Sequence, residues 1–481
     1  MAELRDCVWG FVLWLKLLLL AWSLALVVPA AAYDAPLADQ ARSVLNKAAA
    51  YFATTLAFEG SFVWEYSKDL SVRKGEGLAS PTMGWVQPPG TPSVGAAFLR
   101  IYEATGEQQW LEAAKASARA LVETQLVSGG WYYSQELGRE ARKQWCYRAE
   151  GVTSEACKAV AENQLKNRTM LDDDTTQSAL LFLIWLDKIT GGKDQSVRDA
   201  IFYGLDRLSD AQYANGSWPV IIEKHHKEKA KPGSKGKLPA SWSHEWVKPS
   251  GGPYYVLNDN ILRDMIHVYL VAADHFGNKA FLDAAVRAGD FLVNAQLPEP
   301  QRGWAQSYDV TMTPVWGRKF EPPAVASRET AGAVAALIEL YRKTGEARFL
   351  NSARDGAAWL RSVQLPDGDW ARFYELSTNR PLYVDNDEKL TYEPENLLDH
   401  YNLKNRYDIP QVLAWVDTAD AHSPFPLWPS SVDAMSDQDV EERVRQLIAS
   451  ADASGVWVED GWIRSETFVE AAFVIARYLG R

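Results

Sequence analysis

Apolar and polar positions along this chain repeat one pattern four times. A helix-length apolar run ends at a glycine. A second run follows, with its apolar residues at helical spacing. A loop carrying Gly and Trp then closes the unit. Tyr102-Glu103-Ala104-Thr105-Gly106 leads through Trp110-Leu111 to Gln125-Leu126 and Gly129-Gly130-Trp131. Leu186-Asp187-Lys188-Ile189-Thr190-Gly191 leads through Leu205-Asp206 to Gln212 and Gly216-Ser217-Trp218. Asp274-His275-Phe276-Gly277 leads through Phe281-Leu282 to Gln296-Leu297 and Gly303-Trp304. Tyr341-Arg342-Lys343-Thr344-Gly345 leads through Phe349-Leu350 to Gln364-Leu365 and Gly368-Asp369-Trp370.

In the first unit Leu111, Ala114, Ala118, Leu121 and Val122 fall on one helical face. The glycine before each second run suits a helix C-cap. A weaker copy runs from Lys47 to Gly60-Ser61-Phe62-Val63-Trp64, and a comparable segment, 440–451 with Gly455-Val456-Trp457 and 466–479, ends the chain. Helical hairpins repeating at this scale bury their faces on one another. The expected fold is all-α: an (α/α) toroid or barrel of repeated hairpins with long loops at one end.

The starts of the first helices are polar. Leu171-Asp172-Asp173-Asp174-Thr175-Thr176 precedes an apolar run to Leu186. Asn258-Asp259-Asn260 precedes a helix expected over 261–273, Ser327-Arg328-Glu329-Thr330 one over 331–343, and Thr91-Pro92-Ser93 one over 94–104. Such residues cap helices, and the helix dipole favours acids there. The alternative is chemical. If first helices line the centre, their starts emerge together. Asp172, Asp259 and Glu329 stand at similar spacings before Gly191, Gly277 and Gly345. Facing carboxylates from adjacent repeats suit a hard cation such as Ca2+.

Charge and targeting narrow the function. The 481 residues carry a net charge of -12, which disfavours nucleic acid as a partner and can recruit divalent cations. Residues 224–237 hold six lysines with His225 and His226. That run reads as a solvated loop, or as a cationic lip for a polyanion. At the N-terminus Arg5 and Lys16 precede the apolar stretch 17–28, and Ala30-Ala31-Ala32 offers a cleavage site. Residues 1–32 are therefore expected to be a secretory signal, leaving 33–481 as one secreted or periplasmic domain. Membrane attachment follows only if the signal stays uncleaved. In that compartment Cys146 and Cys157 are expected to pair.

Together these motifs resemble the family 10 polysaccharide lyases, pectate lyases built as helical toroids. The family's Asp-Asn-Gly-Ala-Thr stretch is matched by Asp172-Asp173-Asp174-Thr175-Thr176, and its Phe-Asn-Asp-Asn by Leu257-Asn258-Asp259-Asn260. Its Trp-x-Ala-Gln-His, Pro and Ala-Arg-x-Tyr-Glu are matched by Trp304-Ala305-Gln306-Ser307, Pro314 and Gly317-Arg318-Lys319-Phe320-Glu321. Its Trp-x-Arg-Phe-Tyr-Asp-Leu-x-Thr-Asn-Arg is matched by the stretch from Trp370 through Arg372 to Arg380. The resemblance implies a monomeric enzyme that cleaves polygalacturonate by calcium-assisted β-elimination. It implies Asp172 and Asp259 as Ca2+ ligands and Arg318 as base. Asn258, Gln306, Arg372 and Arg380 would bind substrate. The chain departs from the family at Asp173 and Asp174, at Ser307 in place of His, and at Arg328 in place of a small residue.

The chemistry fits on its own terms. Elimination removes the C5 proton of a uronide and expels the C4 oxygen. A metal or an arginine fork acidifies that proton by neutralising the adjacent carboxylate. An arginine base must be neutral, which needs cations nearby. Otherwise Arg318 is a carboxylate clamp. Two other readings remain open here. One is a toroid hydrolase or epimerase recruiting Asp172 and Asp259. The other is a non-catalytic uronide-binding protein.

Overall fold

The computed structural model describes residues 35–152, 157, 166–223, 233–248, 255–419 and 425–480. Its helices are α1 Ala35–Tyr51, α2 Thr91–Thr105, α3 Gln108–Thr124, α4 Thr175–Thr190, α5 Gln195–Ala211 and α6 Ile261–Phe276. They continue as α7 Lys279–Ala295, α8 Ser327–Thr344, α9 Ala347–Ser362, α10 Ile409–Asp417, α11 Asp437–Ser450 and α12 Ser465–Leu479. Helix α12 packs on α2, α2 on α4, α4 on α6, and α6 on α8. These five form the inner arc of a helical toroid, and the short α10 packs on α8. Helices α3, α5, α7, α9 and α11 pair outside them.

Burial follows the sequence pattern. Inner α4 is buried on every side from Thr175 to Asp187. Outer α7 buries one stripe: Phe281, Ala284, Ala285, Ala288, Phe291, Leu292 and Ala295. Gly106, Gly191, Gly277 and Gly345 end the inner helices at φ of 70°, 65°, 63° and 72°, the left-handed conformation a glycine adopts freely.

The Gly-Trp loops lock each repeat. The indole N–H of Trp131 donates to Leu121 O, Trp218 to Leu208 O, Trp304 to Leu292 O, Trp370 to Leu360 O and Trp457 to Leu447 O. Each bond goes to a carbonyl in the last turns of an outer helix, where backbone acceptors run short of partners. The glutamine that recurs after each outer helix joins repeats: Gln125 Nε2 donates to Ala200 O at 2.8 Å, and Gln212 Nε2 to Ala284 O at 3.0 Å. In the weak first copy Phe62, 1% exposed, fills the buried place expected for Trp64. Trp64 instead packs on Trp85.

Long loops and short sheets gather at the N-terminal end of the inner helices. Strands Leu390–Thr391, Pro381–Val384, Phe373–Glu375 and Ala324–Ala326 make one four-stranded antiparallel sheet. Another joins Glu65–Ser67 to Trp462–Arg464, so the two ends of the chain meet there. Cys146 and Cys157 are disulfide-bonded, Cα to Cα 5.9 Å. Residues 1–34, which hold the expected signal, and 224–232 of the lysine run lie outside the described residues. Among the described residues no helix is long and apolar enough to cross a membrane.

Candidate functional site

The polar helix starts do not act as caps. No side-chain cap hydrogen bond forms at the start of α4 or of α6. The chain enters both helices through the same turn. Leu171 and Leu257 both have φ of -101°. Asp173 and Asp174 then adopt φ of 48° and 55°, and Asp259 and Asn260 adopt 49° and 60°. Two successive left-handed residues without glycine are sterically costly, and Asp and Asn tolerate the region best. Strain of this kind persists where the surrounding structure holds it, often at functional sites.

This turn corrects the expected pairing of residues. By backbone position Asp173, not Asp172, matches Asp259, and Asp172 matches Asn258. Glu329 does not share the arrangement. Helix α8 begins at Ser327, straight from the strand Ala324–Ala326. There Glu329 is 2% exposed and ion-paired to Arg372.

The turn aims three acids at one point. Carboxylate oxygens of Asp172, Asp173 and Asp259 all lie within 4.8 Å of one another. Burial, then the charge of Asp259, raises the carboxyl of Asp172 above its usual range. Burial, then the charge of Asp172, pushes Asp173 up to about 7. The neutral partners are Tyr133, whose hydroxyl donates to Asp172 Oδ2 at 3.0 Å, and Gln87, whose Nε2 donates to Asp173 Oδ2 at 3.0 Å. Indole N–H groups of Trp85 and Trp64 fix Gln87 in turn. Behind the front row, Asp174 is pushed well up, first by burial and then by Asp264.

Around Asp259 the charge is balanced. Arg328 Nη1 donates to Asp259 Oδ1 at 2.7 Å, and Asn258 Nδ2 donates to Asp259 Oδ2. Arg372 Nη2 reaches Asn258 Oδ1 at 2.9 Å and Glu329 Oε1 at 2.7 Å. Arg372 is 2% exposed, so its guanidinium cannot meet a substrate carboxylate here. Asn258 and Gln306 are buried too, at 7% and 3%. Asn258, Gln306 and Arg372, expected to bind substrate, are buried here, where charges and amides are satisfied internally.

Arg318 stands at the surface beside the acids. Its Nε donates to Glu321 Oε1 at 2.9 Å and its backbone N–H to Glu321 Oε2 at 2.8 Å. Burial opposes protonation of the guanidinium, but the bond and charge of Glu321 outweigh it and raise the pKa above the ordinary arginine value. A base needs the opposite shift. Tyr401 holds this unit, its hydroxyl donating to Glu321 Oε1 at 3.0 Å and Gln306 Oε1 at 3.2 Å. Arg380 is exposed at the rim, its guanidinium 3.5 Å from the centre of the Tyr392 ring.

Sequence reasoning placed Asp172, Asp259 and Arg318 together, gave Glu321 of the Arg318 stretch no role, and missed Tyr133, Gln87 and Tyr401. Those three arrive from loops far apart in the chain, with no local pattern to announce them. Asp173 carried a signal, since its distance to Gly191 equals that of Asp259 to Gly277. The cluster suits a divalent cation: it offers only oxygen donors, and its carboxylates crowd and repel. A cation would have to share Asp259 with Arg328.

No family model matches the chain, and no curated protein matches it. Several solved structures resemble it at low identity. A family 10 polysaccharide lyase from Cellvibrio cellulosa is 18% identical, with 69% of this chain and 97% of that one covered and a TM-score of 0.45. A variant of that lyase in complex with trigalacturonic acid is 17% identical over 69% and 98%, TM-score 0.45. A D-mannose isomerase is 13% identical over 94% and 100%, TM-score 0.47. Likeness at this level says nothing about chemistry.

Proposed function

We propose that this protein is a carbohydrate-active enzyme that cleaves acidic polysaccharide, with polygalacturonate as substrate, by metal-assisted β-elimination. One observation supports the reading most. Three carboxylates converge from two inner helices, and an exposed arginine stands beside them. Asp172, Asp173 and Asp259 would hold a divalent cation such as Ca2+. Bound there, it would neutralise the uronide carboxylate and acidify the C5 proton.

The chain's own groups divide the remaining work. Arg318 presents a planar fork to the same carboxylate. In this reading Arg318 is also the candidate base: because its pair with Glu321 keeps the guanidinium protonated, it must first part from Glu321 and give its own proton to solvent, and the neutral guanidine then takes the C5 proton as the bond to the C4 oxygen breaks. Tyr133 and Gln87 orient Asp172 and Asp173. Arg372, working through Asn258, positions Asp259 rather than touching substrate. The leader 1–32 would direct the chain out of the cytoplasm as a monomer.

The test is purified protein with polygalacturonate, with and without calcium. Elimination leaves a C4–C5 double bond and an ultraviolet absorbance that grows with turnover. Full-rate turnover in chelator would remove the metal from the reading. A second reading has its own observation: Asp173, held near 7, is a carboxylic acid able to donate a proton at neutral pH. Hydrolysis would release reducing ends without the absorbance.

A further inference from the structure

Residues 237–248 run along the same end of the toroid as the acid cluster, and nothing above has used them. They are held firmly. Lys237 N–H donates to Met312 O at 3.1 Å. Two indoles then clasp the loop to the segment before Arg318. Trp316 Nε1 donates to Ser243 O at 3.0 Å, and Trp246 Nε1 donates to Gly317 O at 3.3 Å. The other side of the loop is tied to the central sheet. His244 stacks on Trp242 with ring centres 4.1 Å apart, and its Nε2 lies 3.0 Å from Glu375 Oε1. Tyr392, which carries Arg380 on its face, donates to the same Glu375 oxygen at 2.7 Å.

The loop is exposed along most of its length, and Trp246 is its one exposed indole. It is 39% exposed, although its only hydrogen-bonding group is already satisfied. A large indole with a fixed orientation and an open face has no packing role to explain its exposure. Sugar rings present apolar C–H faces, and aromatic rings stack on them. The surroundings carry charge: Arg318, Lys319 and Arg380 are exposed near the loop, Arg318 paired with Glu321 and Lys319 with Glu388, so a sugar carboxylate would compete with those acids. An acidic sugar chain complements that rim.

We propose that Trp246 is a substrate-binding platform beyond the acid cluster, stacking one further ring of a uronide chain whose carboxylates are drawn by the cationic rim. The proposal rests on the polysaccharide reading and adds to it a site outside the reacting centre. The consequence is length selectivity. Chains long enough to reach Trp246 gain affinity there, and the shortest oligomers gain none.

The test uses the full chain and galacturonate oligomers of graded length, with binding read by calorimetry in the presence of calcium. Trp246→Ala should weaken binding of long oligomers about three- to tenfold, the range of one aromatic contact. The shortest oligomers should be unaffected. Trp246→Tyr should restore most of the loss, which a merely structural role for the indole would not predict. Turnover of polygalacturonate is followed in parallel. Length-dependent loss on Trp246→Ala without any turnover would support the platform and sink the elimination reading. Turnover with equal affinities in wild type and Trp246→Ala would sink the platform alone. Neither turnover nor oligomer binding would sink both.

Discussion

The starts of α4 and α6 share one backbone and hold opposite balances of charge. Both pass through the same pair of left-handed residues. At α6 one acid, Asp259, receives Arg328 and Asn258, and Arg372 backs the asparagine. At α4 three consecutive acids stand together, and Asp172 and Asp173 find only the neutral donors Tyr133 and Gln87. The repeat therefore supplies geometry, and each copy tunes its own electrostatics. One half of the site tethers a cation of its own. The other half accumulates negative charge that a cation from solution would relieve.

Removing the acid of the balanced half should have the largest effect. Asp259→Ala takes away the carboxylate that α6 contributes, so turnover of polygalacturonate should vanish. Far-UV circular dichroism should stay unchanged, since no cap bond is lost. Arg318 faces both halves. Arg318→Lys keeps the charge but loses the fork, and kcat should fall at least about a hundredfold if it carries the proton. A fall confined to KM would leave it a clamp.

The support behind Asn258 gives a stability effect. Arg372→Ala strands Glu329, whose Oε2 already lacks a hydrogen-bond partner. Removing one member of a buried pair costs about 3–5 kcal/mol, and the denaturation midpoint should drop accordingly. The equivalent experiment on the unbalanced half is a pH titration. In chelator Asp173 keeps its proton to about pH 7, against an ordinary value of 3.8. The folded state holds the extra proton between those values. The stability that Asp173 contributes should therefore be greatest below about pH 4 and decline as pH rises toward about 7. Asp173→Asn should flatten this profile. Melting curves of the parent and Asp173→Asn that run parallel over this pH range would contradict the crowding of acids at α4.

Much of this was legible along the chain. Apolar periodicity with Gly106, Gly191, Gly277 and Gly345 gave the hairpins, because helix propensity and capping are local effects. Trp131, Trp218, Trp304 and Trp370 marked the units, because each indole must answer a carbonyl about ten residues back. Some boundaries moved: α8 begins at Ser327 rather than at 331. Its start is set by strand pairing with Phe373–Glu375, a contact no local signal reports.

The sequence by itself determined a repeating helical toroid with acids at the inner helix starts and a disulfide between Cys146 and Cys157. Spacing to Gly191 and Gly277 already aligned Asp173 with Asp259. Tertiary structure alone decided that Asp172, Asp173 and Asp259 converge, because a side chain's direction at a left-handed turn depends on dihedral angles that composition does not encode. Tertiary structure also separated the exposed arginines, Arg318 and Arg380, from the buried Arg372. All three occupy similar polar stretches, and only the packing of α8 against the sheet shows which guanidinium finds Glu329 and which remains open to solvent.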